Sequence, residues 1–222
     1  MRYAMHADDR PDGRLFEVEE FRQRLVSLEG ERHQGEDDEV LYVLEGRGSV
    51  SFDGESHDVG PGTAIFAARG TAWEAFGGAR ALSVLVHDPE PSSGHAVVDL
   101  GAAERGTATA GRSFLLGPTP DMGCRSVTQF VGLIPPGRAP DHFHEYDEVI
   151  YVLEGEGELV IGGERAPLRP GSCIHLPRTL VHCLANTGES EMRVLGVFRP
   201  AGSPAEAYYP DGTPAAVPEG ED

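Results

Sequence analysis

Lysine is absent from this chain of 222 residues: all 18 basic side chains are arginine, set against 37 acidic ones for a formal charge of −19. Without an ε-amine there is no Schiff base to a carbonyl substrate or to pyridoxal phosphate, and no GK[ST] phosphate loop. The excess of negative charge argues against nucleic acid and anionic membranes as partners, because phosphate binding needs concentrated positive charge. The acidity serves solubility instead. Cysteine is scarce too. Cys124, Cys173 and Cys183 make an odd count with no CxxC spacing, which suits reduced thiols better than a disulfide framework. No apolar run approaches the ~20 residues that span a bilayer, and the opening MRYAMHADDRPDG lacks the apolar core of a signal peptide. The expectation is a soluble, cytoplasmic protein that handles a small molecule, without a nucleic-acid or membrane partner.

Glycine and proline, by contrast, are plentiful. The 29 Gly and 17 Pro fall mostly between short runs rich in Val, Leu, Ile and Phe. Many short strands joined by tight turns predict an all-β sandwich or barrel. Candidate strands include EVLYVLEG, GSVSF and TAIFA early on, then EVIYVLEG, GELVIG and SCIHLP. Helical patterning is confined to EEFRQRL (residues 19–25) and SPAEAYY (residues 203–209).

A stronger signal is an internal repeat. Asp38 aligns with Asp147, an offset of 109, and the register runs without a gap to Gly70 and Thr179; 15 of those 33 positions are identical. Chance would give about two at ordinary residue frequencies. The chain therefore reads as a tandem duplication of one all-β unit. The expected organisation is a first barrel over residues 1–95, a linker with a crossing strand over 96–112, a second barrel over 113–209, and a disordered Pro-rich acidic tail over 210–222.

Residues 141–148 of the second copy read DHFHEYDE. On a strand, positions i and i+2 share a face, so His142 and His144 can converge on one point. Glu148 would lie about 13 Å beyond His144 if the strand ran on straight. Residues 145–147 must therefore turn the chain and return Glu148 on a neighbouring strand. A fourth candidate, His182, follows in GSCIHLPRTLVHCLAN, where Gly171 and Pro177 punctuate a strand and a turn.

These residues resemble the two motifs of the cupin family. His142-x-His144-x3-Glu148-x6-Gly155 is similar to the first motif, and Gly171-x5-Pro177-x4-His182-x3-Asn186 to the second. Two positions depart from it. Thr179 stands where a glycine is common, and Gly137 sits one residue closer to the first histidine than usual. The resemblance implies a bicupin, two tandem double-stranded β-helix (jelly-roll) barrels, with His142, His144, Glu148 and His182 as ligands of one divalent transition metal. Three imidazoles and a carboxylate suit Fe, Mn, Ni or Zn, and an octahedral ion would keep two positions open.

On the same offset the first copy places Gly35 at the position of His144 and Trp73, the only tryptophan, at that of His182. Only His33 and Glu39 keep ligand chemistry, so this half reads as scaffold with a degenerate site. Elsewhere in the second copy, His175 either faces the cavity as a base or donor, or packs as an ordinary strand residue. Arg125, Arg138 and Tyr151 are candidate substrate contacts. Arg178 and Tyr151 recur in the first copy as Arg69 and Tyr42, which favours structural roles. Glu148 could also shuttle a proton.

A metal in an apolar barrel suits chelatable dicarbonyl, enediol or aromatic substrates. The resemblance implies, first, a dioxygenase-type enzyme like quercetinases and acireductone dioxygenases. The alternatives are a non-oxidative isomerase, lyase or oxalate-decarboxylase-like enzyme, or a non-catalytic small-molecule binding module. Bicupin ureidoglycine aminohydrolases share the inactive first barrel, but DHFHEYDE and His182 do not match their ligand order. Exposed barrel faces leave a homodimer open.

Overall fold

A computed structural model describes residues 2–33 and 35–215, and the side chain of His33 lies outside that description. Among the described residues there is no α-helix, only single 3-10 turns between strands. The chain forms two compact units that are interleaved in sequence. One comprises Arg10–Ala103 with Gly117–Gln129; the other takes the N-terminal residues to Asp9, Glu104–Leu116, and the chain from Phe130 onward.

The first unit is built on one sheet. Its order is Arg14–Glu17, Phe21–His33, Ala72–Val86, Asp38–Glu45, Thr63–Ala67 and His95–Asp99, and the hairpin Gly48–Phe52/Glu55–Val59 joins it along Ala72–Val86. Its core gathers Leu28, Leu41, Phe52, Ile65 and Trp73.

In the second unit a seven-stranded and a four-stranded sheet share one core. The larger sheet runs Ala4–His6, Ser172–Leu176, Asp147–Glu154, Met192–Arg199, Thr128–Ile134, Ser113–Leu116, Arg105–Thr107. The smaller runs Gly137–Arg138, Cys183–Asn186, Gly157–Ile161, Glu164–Leu168. Ile150, Ile174 and Val194 from the larger sheet pack with Leu159, Leu168 and Leu184 from the smaller. Each strand contributes alternate residues to that interior, as the two-residue period requires.

The duplication is visible strand by strand. Asp38–Glu45, Gly48–Phe52, Glu55–Val59 and Thr63–Ala67 recur as Asp147–Glu154, Gly157–Ile161, Glu164–Leu168 and Ser172–Leu176, each displaced by the offset read from the sequence. Pairing repeats as well: Glu39 opposes Ala67 as Glu148 opposes Leu176. Ser51 opposes Glu74 as Val160 opposes Cys183, so Trp73 and His182 are structural equivalents. Beyond that point the register slips by four residues, for Val86 opposes Asp38 whereas Arg199 opposes Asp147. The single long strand Ala72–Val86 of the first copy is replaced by two strands, Cys183–Asn186 and Met192–Arg199.

Several expectations need correction. HAVVDL is no linker strand: His95–Asp99 pairs antiparallel with Thr63–Ala67 and completes the first unit. Ala4–His6 pairs instead with Ser172–Leu176 in the second unit, because that strand has a free edge there. Neither helical segment forms. EEFRQRL runs into the strand Phe21–His33, where Phe21 and Gln23 are buried and Arg22 and Arg24 less so, a period of two. Residues 203–209 form a turn and an extended stretch. The tail is ordered as far as it is described. Asp211 accepts hydrogen bonds from the Thr213 backbone N–H (2.9 Å) and hydroxyl (2.7 Å), and the N–H of Ala215 donates to Ala207 O at 2.8 Å. The rest of the expected tail, residues 216–222, lies outside the described residues. Among the described residues no helix is long and apolar enough to cross a membrane.

Candidate metal centre

The turn inferred at residues 145–147 delivers its two ends to one cavity of the second unit. His142 and His182 form a two-residue bridge: the His142 N–H donates to His182 O at 3.0 Å, and the His182 N–H to His142 O at 2.8 Å. His144 is tied in through its carbonyl, which accepts from the Thr179 N–H at 2.8 Å. Thr179 holds a left-handed φ of 64° to make that bond, a conformation natural to glycine and strained for threonine. This is the physical content of the family's usual glycine at that position.

Ring centroids of the three histidines stand 4.7 to 5.2 Å apart. One ligand atom from each lies within 4.8 Å of the others, the only such group of three or more among the described residues. Each Nδ1 faces a backbone carbonyl: His142 that of Pro140 (3.0 Å), His144 that of Glu206 (2.8 Å), His182 that of Leu180 (2.8 Å). A carbonyl can only accept, so each Nδ1 carries the proton and each Nε2 the free lone pair. Burial lowers all three pKa values: that of His144 to about 3, that of His182 well below the ordinary range, and that of His142 in the same direction. The rings are neutral donors at physiological pH.

Glu148 enters from the strand Asp147–Glu154 and lines the same cavity, about 70 Å³ in volume, without joining the histidine cluster. The residue is 3% exposed, and burial, reinforced by the neighbouring Asp147, pushes its pKa up to about 8. Arg112 opposes that shift from across the cavity. Arg112 itself is half-buried and donates a hydrogen bond to Leu184 O, and desolvation lowers its pKa. Tyr146 adds to the polar lining. Its ring stacks on His144 (4.5 Å, 8°) and on Phe198 (3.9 Å, 17°), and burial raises its phenol well above the ordinary range. Phe114, Phe130, Leu133 and Ile150 give the cavity an apolar wall, with Thr109 and Ser113 also in the lining.

Other expected contacts stand elsewhere. His175 sits one residue before Leu176, which lines the cavity, so the strand period turns its ring away, where Nε2 meets Asp147 Oδ1 at 2.7 Å. Tyr151, next to cavity-lining Ile150, faces away for the same reason. Arg138 is exposed and paired with Asp141 at 2.6 Å. Arg125 is exposed and belongs to the first unit. Their places are taken by Arg112 and Tyr146, which the sequence reading missed. Tyr146 was within reach, two residues from both His144 and Glu148. Arg112 carries no local signal and lies in what reads as linker.

In the first unit, Trp73 is buried in the core, stacked on Phe52 at 5.4 Å. Glu39, the equivalent of Glu148, is bound by Arg32 (3.0 Å) and by the Ser83 hydroxyl (2.5 Å), with Arg24 at 3.7 Å. Two guanidinium groups lie within 4 Å of this carboxylate, whereas its twin Glu148 lines a cavity shared with three histidines.

The cupin domain model matches residues 25–76 and 130–198. Among curated proteins, an uncharacterised protein of Aquifex aeolicus is 33% identical over 76 residues (34% of this chain, 62% of that protein). The polyketide synthase CurC of Streptomyces cyaneus is 33% identical over 76 residues (33% and 49%), and the L-ectoine synthase of Aliivibrio fischeri 35% over 72 (32% and 56%). The chain thus spans about half to three fifths of these relatives. Of solved structures, a proposed glyoxylate-induced protein of Pseudomonas aeruginosa superposes with a TM-score of 0.69 at 20% identity, covering 88% of this chain and 78% of that one. The oxalate decarboxylase of Bacillus subtilis superposes at 0.65 and 13%, covering 90% and 72%. With both motifs on one cavity and the family's domain matched in each half, the chain belongs to the cupin family.

Proposed function

We propose that the second unit is a metal-dependent enzyme acting on a small chelating acid. The observation that carries this reading is the set of three neutral histidines with Nδ1 locked to carbonyls, in a cavity also lined by the half-buried Arg112. The donor set fits a divalent first-row metal: His142, His144 and His182 would hold it, with Glu148 as a fourth donor. The oxalate decarboxylase of like fold has Mn(II) centres. A bound ion would supply Lewis acidity, polarising a carbonyl or carboxylate oxygen.

The chain's own residues supply the remainder. Arg112 offers a planar, desolvated guanidinium that favours a substrate carboxylate. Burial favours the protonated form of Glu148 while the cavity holds no ion; as a donor to an ion it would be the carboxylate, and on letting go it can take a proton from, or return one to, a carbon beside the bound oxygens. Tyr146 keeps its phenol proton for hydrogen bonding, and the aromatic wall excludes bulk water. A cavity of about 70 Å³ favours a molecule of a few heavy atoms. Two reaction classes follow from different observations. Three nitrogen donors suit Fe(II) or Ni(II) and dioxygenase-type chemistry, whereas a buried carboxyl with raised proton affinity, Glu148, supports non-oxidative isomerase, lyase or decarboxylase chemistry.

The test is elemental analysis of protein purified without added metal, followed by turnover of small 2-oxo acids, diketones and dicarboxylic acids with and without oxygen. One ion per chain and oxygen-dependent consumption support the dioxygenase; anaerobic turnover supports the other class. Tight binding without product under any metal overturns the enzyme in favour of a binding module, and protein that never takes up metal overturns the site.

A further inference from the structure

The Nδ1 acceptors of the three histidines are not alike. His142 and His182 use carbonyls two residues earlier in their own chain, Pro140 and Leu180, so their tautomers are set locally. The acceptor for His144 is Glu206 O, 62 positions away in a segment beyond the last barrel strand. That segment is held firmly. Tyr208 and Phe143 exchange backbone hydrogen bonds of 2.9 and 3.0 Å, and their rings stack at 5.6 Å and 22°. The chain then reverses at Asp211 and Gly212 and returns to Ala207. Pro204 and the buried Ala207 line the cavity itself.

We infer that residues 203–215 are a positioning strap: the Glu206 carbonyl sets the tautomer of His144, and so decides whether its Nε2 lone pair is presented to the cavity. This rests on the reading of the three histidines as metal ligands, but concerns the chain's own geometry. Without the strap, His144 loses the Glu206 acceptor and its imidazole is free to carry the proton on Nε2, while His142 and His182 keep theirs. Losing such an outer partner weakens metal binding by roughly 10- to 100-fold.

Two variants test it: the chain ended after Gly202, and Tyr208→Ala, which removes the ring stack on Phe143 and leaves the barrel intact. Nitrogen-15 spectra of the histidine rings in metal-free protein should show three Nδ1–H tautomers in the full chain. In both variants His144 alone should move toward the Nε2–H form, and Co(II) titration should give a 10- to 100-fold weaker Kd for the truncated chain. An unchanged His144 tautomer in both variants, or unchanged Co(II) affinity after truncation, overturns the inference. If the full chain takes up no Co(II) while the tautomers respond as described, the metal reading fails and the positioning of His144 by the strap stands.

Discussion

Replacing His144 with glutamine should flatten the acid sensitivity of the metal-free protein. Desolvation, helped by the nearby His142, holds the pKa of His144 at about 3 against an ordinary value of 6.5. The folded state therefore keeps the ring neutral where the unfolded chain takes up a proton. Its contribution to stability is full above pH 6.5 and is lost as the pH falls toward 3. At 1.36 kcal/mol per pKa unit, acidification from pH 7 to pH 5 costs up to about 2 kcal/mol through this ring alone, or ~4–8 °C in Tm for a chain of this size. His182 and His142 act in the same direction. Glu148 acts in the opposite one: with its folded pKa raised to about 8, it gains stability as the pH falls from 8 toward 4.5. Comparing wild type with His144→Gln cancels the contributions of His142 and Glu148, while His182, whose shift His144 itself deepens, adds to the difference in the same direction. Scanning calorimetry in chelator at pH 7, 6 and 5 reads the difference. Parallel Tm profiles would mean that His144 titrates normally in the fold and is not the neutral donor described.

Other substitutions probe separate parts of the structure. Arg112→Gln should weaken binding of a small carboxylate, such as oxalate, to metal-loaded protein by roughly 10- to 100-fold in calorimetry, the worth of a charge-assisted hydrogen bond, with metal content unchanged. Asn186, the only asparagine, bonds Ile134 O, Ser190 O and the Gly188 N–H at 2.8 to 2.9 Å; Asn186→Ala should cost about 2–3 kcal/mol in urea unfolding. Glu39→Ala leaves Arg32 without its buried carboxylate and should cost about 3–5 kcal/mol, again with unchanged metal content, because the first unit's carboxylate answers to arginines.

The residues that announced themselves did so through chain-local rules. The spacing of His142, His144 and Glu148, with residues 145–147 obliged to turn, follows from the two-residue strand period and the reach of a few peptide units. His175 and Tyr151 show where that reasoning lacked an anchor. Their chemistry was plausible, but one residue of register separates the cavity face from the opposite face, and only the positions of Leu176 and Ile150 reveal which is which. The segment at residues 19–25 shows the competing case. Its weak helical pattern lost to pairing along Ala72–Val86, since a long antiparallel ladder outweighs a short stretch of propensity.

The sequence by itself determined the duplication and the all-β class and grouped His142, His144 and Glu148, because each is written as a repeat, a period or a spacing within a few residues; His182 was reached through the resemblance to the family's second motif. Tertiary structure alone decided the rest. Arg112 reaches the site from an apparent linker, the Glu206 carbonyl locks a histidine 62 positions distant, and Glu39 answers to two arginines in the first unit. Contacts between segments far apart depend on which strands pair and in what register. A backbone carbonyl, moreover, is the same in every residue, so its role becomes visible only once the chain has brought it to a ring.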